Sequence, residues 1–130
     1  MSGDTGTIDK KTFNIVLVDD EEPLCNILEG FFQSEGHNVA AFFDPFLALD
    51  YAKKNKSIDY FFSDIGMRGM DGVELVKQVH ELHPQAKKYL MSGFIAPEVR
   101  AEIDALKLTG VVSGYLQKPI DIRQFLSLIE

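Results

Sequence analysis

The chain has 130 residues, 45% hydrophobic and 25% charged, a length and composition that exclude a disordered chain and leave room for one domain with its own core. Twenty acidic residues against 13 basic ones give a net charge of -7, which excludes an independent grip on a nucleic-acid backbone. The single cysteine, Cys25, excludes an internal disulfide, and no apolar run nears the roughly 20 residues a membrane span requires.

Residues 1–12 are polar, carry no apolar segment like that of a secretory signal, and read as a flexible tail; a cytoplasmic location is the expectation. Residues 13–18 then form a nearly continuous apolar run, as in a strand buried on both faces. It stops at Asp19-Asp20-Glu21-Glu22 and Pro23, where acids and a proline suit the positive end of a helix. Leu24, Ile27, Leu28, Phe31 and Phe32 give that helix its apolar face, and Gly36 ends it. The pattern repeats with a strand over 39–43 and a helix over 45–55, with Phe46, Leu49 and Ala52 inward. A third strand, 60–63, stops at Asp64, and a loop rich in Gly and Met runs to Gly72. The next helix carries Leu75, Val79 and Leu82 and is closed by Pro84. A fourth strand over 89–91 ends at Ser92-Gly93. Pro97 opens a helix with Val99, Ile103 and Leu106 on one side, ended by Gly110. Residues 111–117 hold a fifth strand ending at Lys118-Pro119, and the last helix turns Ile122, Phe125, Leu126 and Ile129 inward.

Strict alternation with short connections implies an α/β protein with a parallel sheet and helices on both faces. At this length the expectation is a three-layer, flavodoxin-like (βα)5 sandwich with strand order 2-1-3-4-5. The chain stops at the fifth helix, so no output domain is expected within it.

In such a sheet, ligands bind beyond the carboxyl ends of the strands. There the sequence places Asp19-Asp20-Glu21, Asp64, Ser92 and Lys118. Carboxylates brought that close resist joint ionisation unless a cation offsets them, and one lysine is not enough. Oxygen donors of this kind suit Mg²⁺. A divalent cation, an ammonium and a hydroxyl together would neutralise a phosphoryl group in transfer, and a carboxylate there could be the nucleophile. Taken singly, each residue has a plainer reading. The acids could complement a helix dipole, Asp64 could be a cap, Ser92-Gly93 a turn, Lys118 a surface lysine and Tyr115 a core aromatic.

Four motifs in order, each at a strand end, resemble the receiver domain of two-component response regulators over residues 13–130. They are Asp19-Asp20, Asp64-Ile65-Gly66-Met67-Arg68-Gly69-Met70-Asp71-Gly72, Met91-Ser92-Gly93 and Gly114-Tyr115-Leu116-Gln117-Lys118-Pro119. The resemblance implies that Asp64 is the phosphoacceptor. It implies that Asp19, Asp20, Asp64 and the backbone carbonyl of Gly66 hold Mg²⁺, with Mn²⁺ as a substitute. Ser92 would bond the phosphoryl oxygens, Lys118 would pair with the phosphate, and Ser92 and Tyr115 would form the switch. The phosphodonor would be a sensor histidine kinase or a histidine phosphotransfer protein. The readout would be the surface of helix four, strand five and helix five, acting on a downstream protein target or a missing output domain, with no direct nucleic-acid or membrane partner. Arg68 stands where the family usually has proline, and Ser92 where threonine is commoner. Phe94 is a bulky neighbour two residues after Ser92. An alternative, a Mg²⁺-dependent phosphatase with an aspartyl nucleophile, would want a second acid two residues after Asp64, where Gly66 stands.

Overall fold

A computed structural model of the chain describes residues 11–129. Residues 1–10, most of the expected tail, lie outside the described residues, as does residue 130. The elements alternate without exception: β1 (Asn14–Val18), α1 (Glu22–Ser34), β2 (Asn38–Phe42), α2 (Pro45–Lys54), β3 (Tyr60–Asp64), α3 (Gly72–Leu82), β4 (Lys87–Ser92), α4 (Pro97–Leu108), β5 (Gly114–Gln117) and α5 (Ile122–Leu128). The five strands are parallel and lie in the order β2-β1-β3-β4-β5, so the flavodoxin-like expectation holds.

A parallel sheet buries both faces, and two apolar clusters do so here. On one face Val16, Val18, Phe61 and Leu90 meet Ala48 and Leu49 of α2, Val76 and Val79 of α3 and Ile103 of α4. On the other, Ile15, Leu17, Phe62 and Met91 meet Cys25, Leu28 and Phe32 of α1 and Phe125 of α5. Phe62 is the centre of the second layer: its ring stacks near those of Phe32 and Tyr89 and meets Phe125 edge-on. Every residue of β3 is buried, which makes this central strand the rigid base for the residue at its end, Asp64.

Local chemistry sets the helix ends. Asp44, Asp71 and Asp121 cap α2, α3 and α5 through their carboxylates, and proline opens α2 and α4. Among the described residues no helix is long and apolar enough to cross a membrane.

Three expectations need correction. The fifth strand starts at Gly114, because the amides of Val111 and Val112 bond back to the Leu106 carbonyl at the end of α4. The fourth strand reaches back to Lys87 and takes in a fully buried Lys88, whose ammonium donates to the carbonyl oxygens of Ala86 at 2.6 Å and His83 at 3.4 Å. Finally, Ile27, Phe46, Leu82, Ile122 and Leu126 are exposed rather than inward. Each helix buries only the narrow stripe that faces the sheet: Cys25, Leu28 and Phe32 on α1, Phe125 alone on α5.

Candidate functional site

Strand register brings the site together. Val18 lies opposite Ser63, Asp64 opposite Met91, and Ser92 opposite Gln117, so the four strand ends finish level with one another. Asp19 continues β1 by donating its amide to the Phe42 carbonyl at 3.0 Å, and is 1% exposed. Its Oδ1 accepts the Glu21 amide at 2.9 Å, which turns the chain into α1. Its Oδ2 accepts from the Lys118 ammonium at 2.8 Å. Asp20 is exposed at the rim. Asp64, 8% exposed, ends β3 with its Oδ1 3.4 Å from Lys118 Nζ. Asp19, Asp20 and Asp64 each offer an oxygen within 4.8 Å of the others.

Lys118 follows β5 and is held there by its amide, which donates to the Ser92 carbonyl at 2.8 Å. The Lys118–Pro119 peptide is cis. The ammonium meets a third carboxylate as well, Glu21 Oε1, at 2.8 Å. Burial by itself would lower the Lys118 pKa, but hydrogen bonds to Asp19 and Glu21, with the charges of Asp19 and Asp64, hold it above the ordinary lysine value. The Asp64 pKa also rises, which for a carboxyl group disfavours the charged form. Burial first, and then the charge of Asp19, raise it to about 6, against the opposing pull of Lys118. One ammonium therefore leaves the carboxylates under-compensated. The donor set, all hard oxygens with excess negative charge, fits a divalent cation such as Mg²⁺.

The remaining residues lie around this core. Ser92 ends β4 and keeps its hydroxyl within its own loop: Oγ donates to the Phe94 carbonyl at 2.7 Å and accepts the Phe94 amide at 3.3 Å. Phe94 itself is 78% exposed. Tyr115 sits in β5 opposite Leu90, half-buried, with the Arg100 guanidinium of α4 4.6 Å from its ring centre. Gly66 is exposed, and a Cβ there would have open space within 4 Å. Arg68 is exposed and lines, with Asp20, Phe43, Asp44 and Pro45, a cavity of about 370 Å³ beside the acids.

The structure thus gathers Asp19, Asp20, Asp64 and Lys118 at one point. It leaves the Ser92 hydroxyl bonded to Phe94 and Tyr115 beneath Arg100. Two residues had no individual role in the sequence reading. Glu21 stood there only as the last of the three acids that follow β1, and in the structure it shares Lys118. Gly72 is the first residue of α3, where a Cβ would run into the carbonyl oxygen of Asp64. Its amide donates to Ile65 at 2.8 Å, so the backbone beside Asp64 is pressed against the start of α3. A glycine directly after the Asp71 cap was the available signal, since glycine disfavours a helix and is kept there for close approach.

Comparison with known proteins follows the same lines. Residues 15–130 match the family model described as the response regulator receiver domain. The transcriptional regulatory protein ZraR of Salmonella typhimurium is 30% identical over 117 residues, covering 90% of this chain and 25% of ZraR. The chain thus spans about a quarter of the length of the curated relatives it matches. The solved structure of chemotaxis response regulator CheY4 of Vibrio cholerae has 25% identity and a TM-score of 0.78, covering 91% of this chain and 96% of that one. A CheY-like receiver domain protein from Methanospirillum hungatei, at 24% identity and a TM-score of 0.80 over 91% of this chain and 90% of its own, shares the fold.

Proposed function

The chain belongs to the response regulator receiver domain family, and from that premise we propose that Asp64 accepts a phosphoryl group from a phosphohistidine donor and so switches a surface that signals to a partner. The observation that carries this reading is Asp64 at the end of a fully buried strand, 3.4 Å from the Lys118 ammonium and grouped with Asp19 and Asp20. In the step, an Asp64 carboxylate oxygen attacks phosphorus, a P–O bond forms, the P–N bond to the donor imidazole breaks, and that imidazole leaves with a proton. Lys118 neutralises a phosphoryl oxygen, and the tight seat of Asp64 against Gly72 fixes the line of attack. Asp19, Asp20, Asp64 and the Gly66 carbonyl would hold Mg²⁺, with Mn²⁺ as a substitute; when bound, the cation supplies further neutralisation of phosphoryl charge.

After transfer, the Ser92 hydroxyl exchanges the Phe94 backbone for a phosphoryl oxygen, and the loop it tied is released toward α4. Tyr115, on the strand beside β4 and under the Arg100 guanidinium, carries the change to the face of α4, β5 and α5. The donor is a sensor histidine kinase or a histidine phosphotransfer protein in the cytoplasm, and the recipient is a downstream protein or an output domain. The domain promotes its own modification and its loss. Gly66 offers no general acid for turnover of external phosphoesters.

The test is incubation with Mg²⁺ and acetyl phosphate, followed by intact mass and mapping of the base-labile adduct. Phosphate on Asp64, absent with EDTA and absent in Asp64→Asn, supports the reading. Labelling of Asp64→Asn at the wild-type rate refutes the site.

A further inference from the structure

Lys118 has three N–H donors and faces three carboxylates, but it does not share itself evenly. It lies 2.8 Å from Asp19, 2.8 Å from Glu21 and 3.4 Å from Asp64. Asp19 is buried and needs that partner. Glu21 does not: its side chain is 64% exposed and water would serve it equally well, whereas the Lys118 side chain is 15% exposed. The pair therefore does little for Glu21 and much for where Lys118 stands.

We propose that Glu21 is a positioning residue that draws the Lys118 ammonium away from Asp64, strengthening cation binding by the acidic cluster and restraining phosphoryl capture. This deepens the reading of Asp64 as phosphoacceptor and rests on it. An ammonium engaged with Glu21 neutralises Asp64 less, so the carboxylates keep more of their charge for a divalent cation. The same engagement works against a phosphoryl group. Transfer replaces one negative charge on Asp64 by about two, and Lys118 must follow it, giving up its contact with Glu21. Glu21 also adds an exposed negative charge beside Lys118, which repels an anionic donor. Loss of Glu21 therefore moves two constants in opposite directions, a pattern that simple damage to the site would not produce.

Three variants separate contact from charge. Glu21→Gln removes the charge and weakens the contact, because its amide oxygen still accepts from the ammonium but as a neutral group. Glu21→Asp keeps the charge on a side chain one methylene shorter, too short for the 2.8 Å contact. Glu22→Gln removes an equal charge from the next residue, exposed in the first turn of α1. Mg²⁺ affinity is read by calorimetry without phosphodonor. The rate of Asp64 labelling is then read against phosphoramidate concentration at saturating Mg²⁺, with melting curves to confirm folding.

In Glu21→Gln the Mg²⁺ Kd is expected to weaken about twofold to fivefold, the range for a partly exposed ion pair, while half-saturating phosphoramidate falls by a similar factor. Glu21→Asp should follow Glu21→Gln in Mg²⁺ affinity, and Glu22→Gln should match the unsubstituted protein. The inference is overturned if Glu22→Gln reproduces the effect, if Mg²⁺ affinity is unmoved in Glu21→Gln, or if both constants worsen together. Absence of Mg²⁺ binding or Asp64 labelling in the unsubstituted protein would overturn the acceptor reading itself, a distinct result.

Discussion

Asp64→Asn should make the cation-free protein more stable at neutral pH, while abolishing its chemistry. In the unfolded chain the Asp64 carboxyl titrates near 3.8, but in the fold burial and the charges of Asp19 and Asp20 outweigh Lys118 and raise it to about 6. Below the unfolded value both states bind the proton and no penalty arises. Between 3.8 and about 6 the folded state holds a proton that the unfolded state has released, so stability falls as pH rises. Above about 6 the loss is complete, and it corresponds to about 3 kcal/mol for a group only 8% exposed. Asparagine has the shape of the protonated acid without its titration. Urea unfolding in EDTA at pH 4, 5, 6 and 7 should show the variant near parity at pH 4 and ahead by up to about 3 kcal/mol at pH 7. Mg²⁺ should then close the gap by stabilising the unsubstituted protein alone. A difference independent of pH, or a variant less stable at pH 7, would refute the view that Asp64 sits in uncompensated negative charge.

Three further perturbations follow from the same geometry. Gly72→Ala forces a methyl group onto the Asp64 carbonyl and should cost about 1–3 kcal/mol in chemical denaturation and slow Asp64 labelling; unchanged values in both assays would remove the close approach as a constraint. Lys118→Ala leaves buried Asp19 without its cation and should cost about 3 kcal/mol in EDTA, part of it restored by Mg²⁺, as melting curves would show. Lys88, 1% exposed, has its pKa lowered from 10.5 to about 8 by burial, so its charge penalises the fold below about 8 and the penalty fades as pH rises to 10.5. Lys88→Met should therefore gain on the unsubstituted protein at pH 7 by up to about 3 kcal/mol, less what the Ala86 and His83 carbonyls return to the ammonium, and the gain should vanish by pH 10.5; a constant difference would contradict it.

Much of the molecule was legible in its order of residues. Apolar runs ending in acids, Ser92 or Lys118, each followed by a helical stripe, specify alternating strands and helices. A parallel sheet then carries its chemistry at the strand ends. Burial of individual helix residues was less legible. Phe46, Ile27 and Leu126 satisfy the helical period, but periodicity marks a face and not its width, and the sheet covers only a stripe. Lys88 was opaque for a related reason: a lysine reads as a surface residue until carbonyls at the end of α3 are found around its ammonium.

What the sequence determined by itself was which polar side chains stand at the strand ends, Asp19, Asp20, Asp64, Ser92 and Lys118, because each is tied to the end of a local element by a few covalent bonds. What only the tertiary structure decided was how these groups apportion one another. Lys118 leans to Asp19 and Glu21, Ser92 turns to Phe94, Arg100 covers Tyr115 and Gly72 presses on Asp64. Those contacts join residues as many as 99 positions apart, and their lengths depend on strand register and on competition among partners within a few ångströms, which no local pattern encodes.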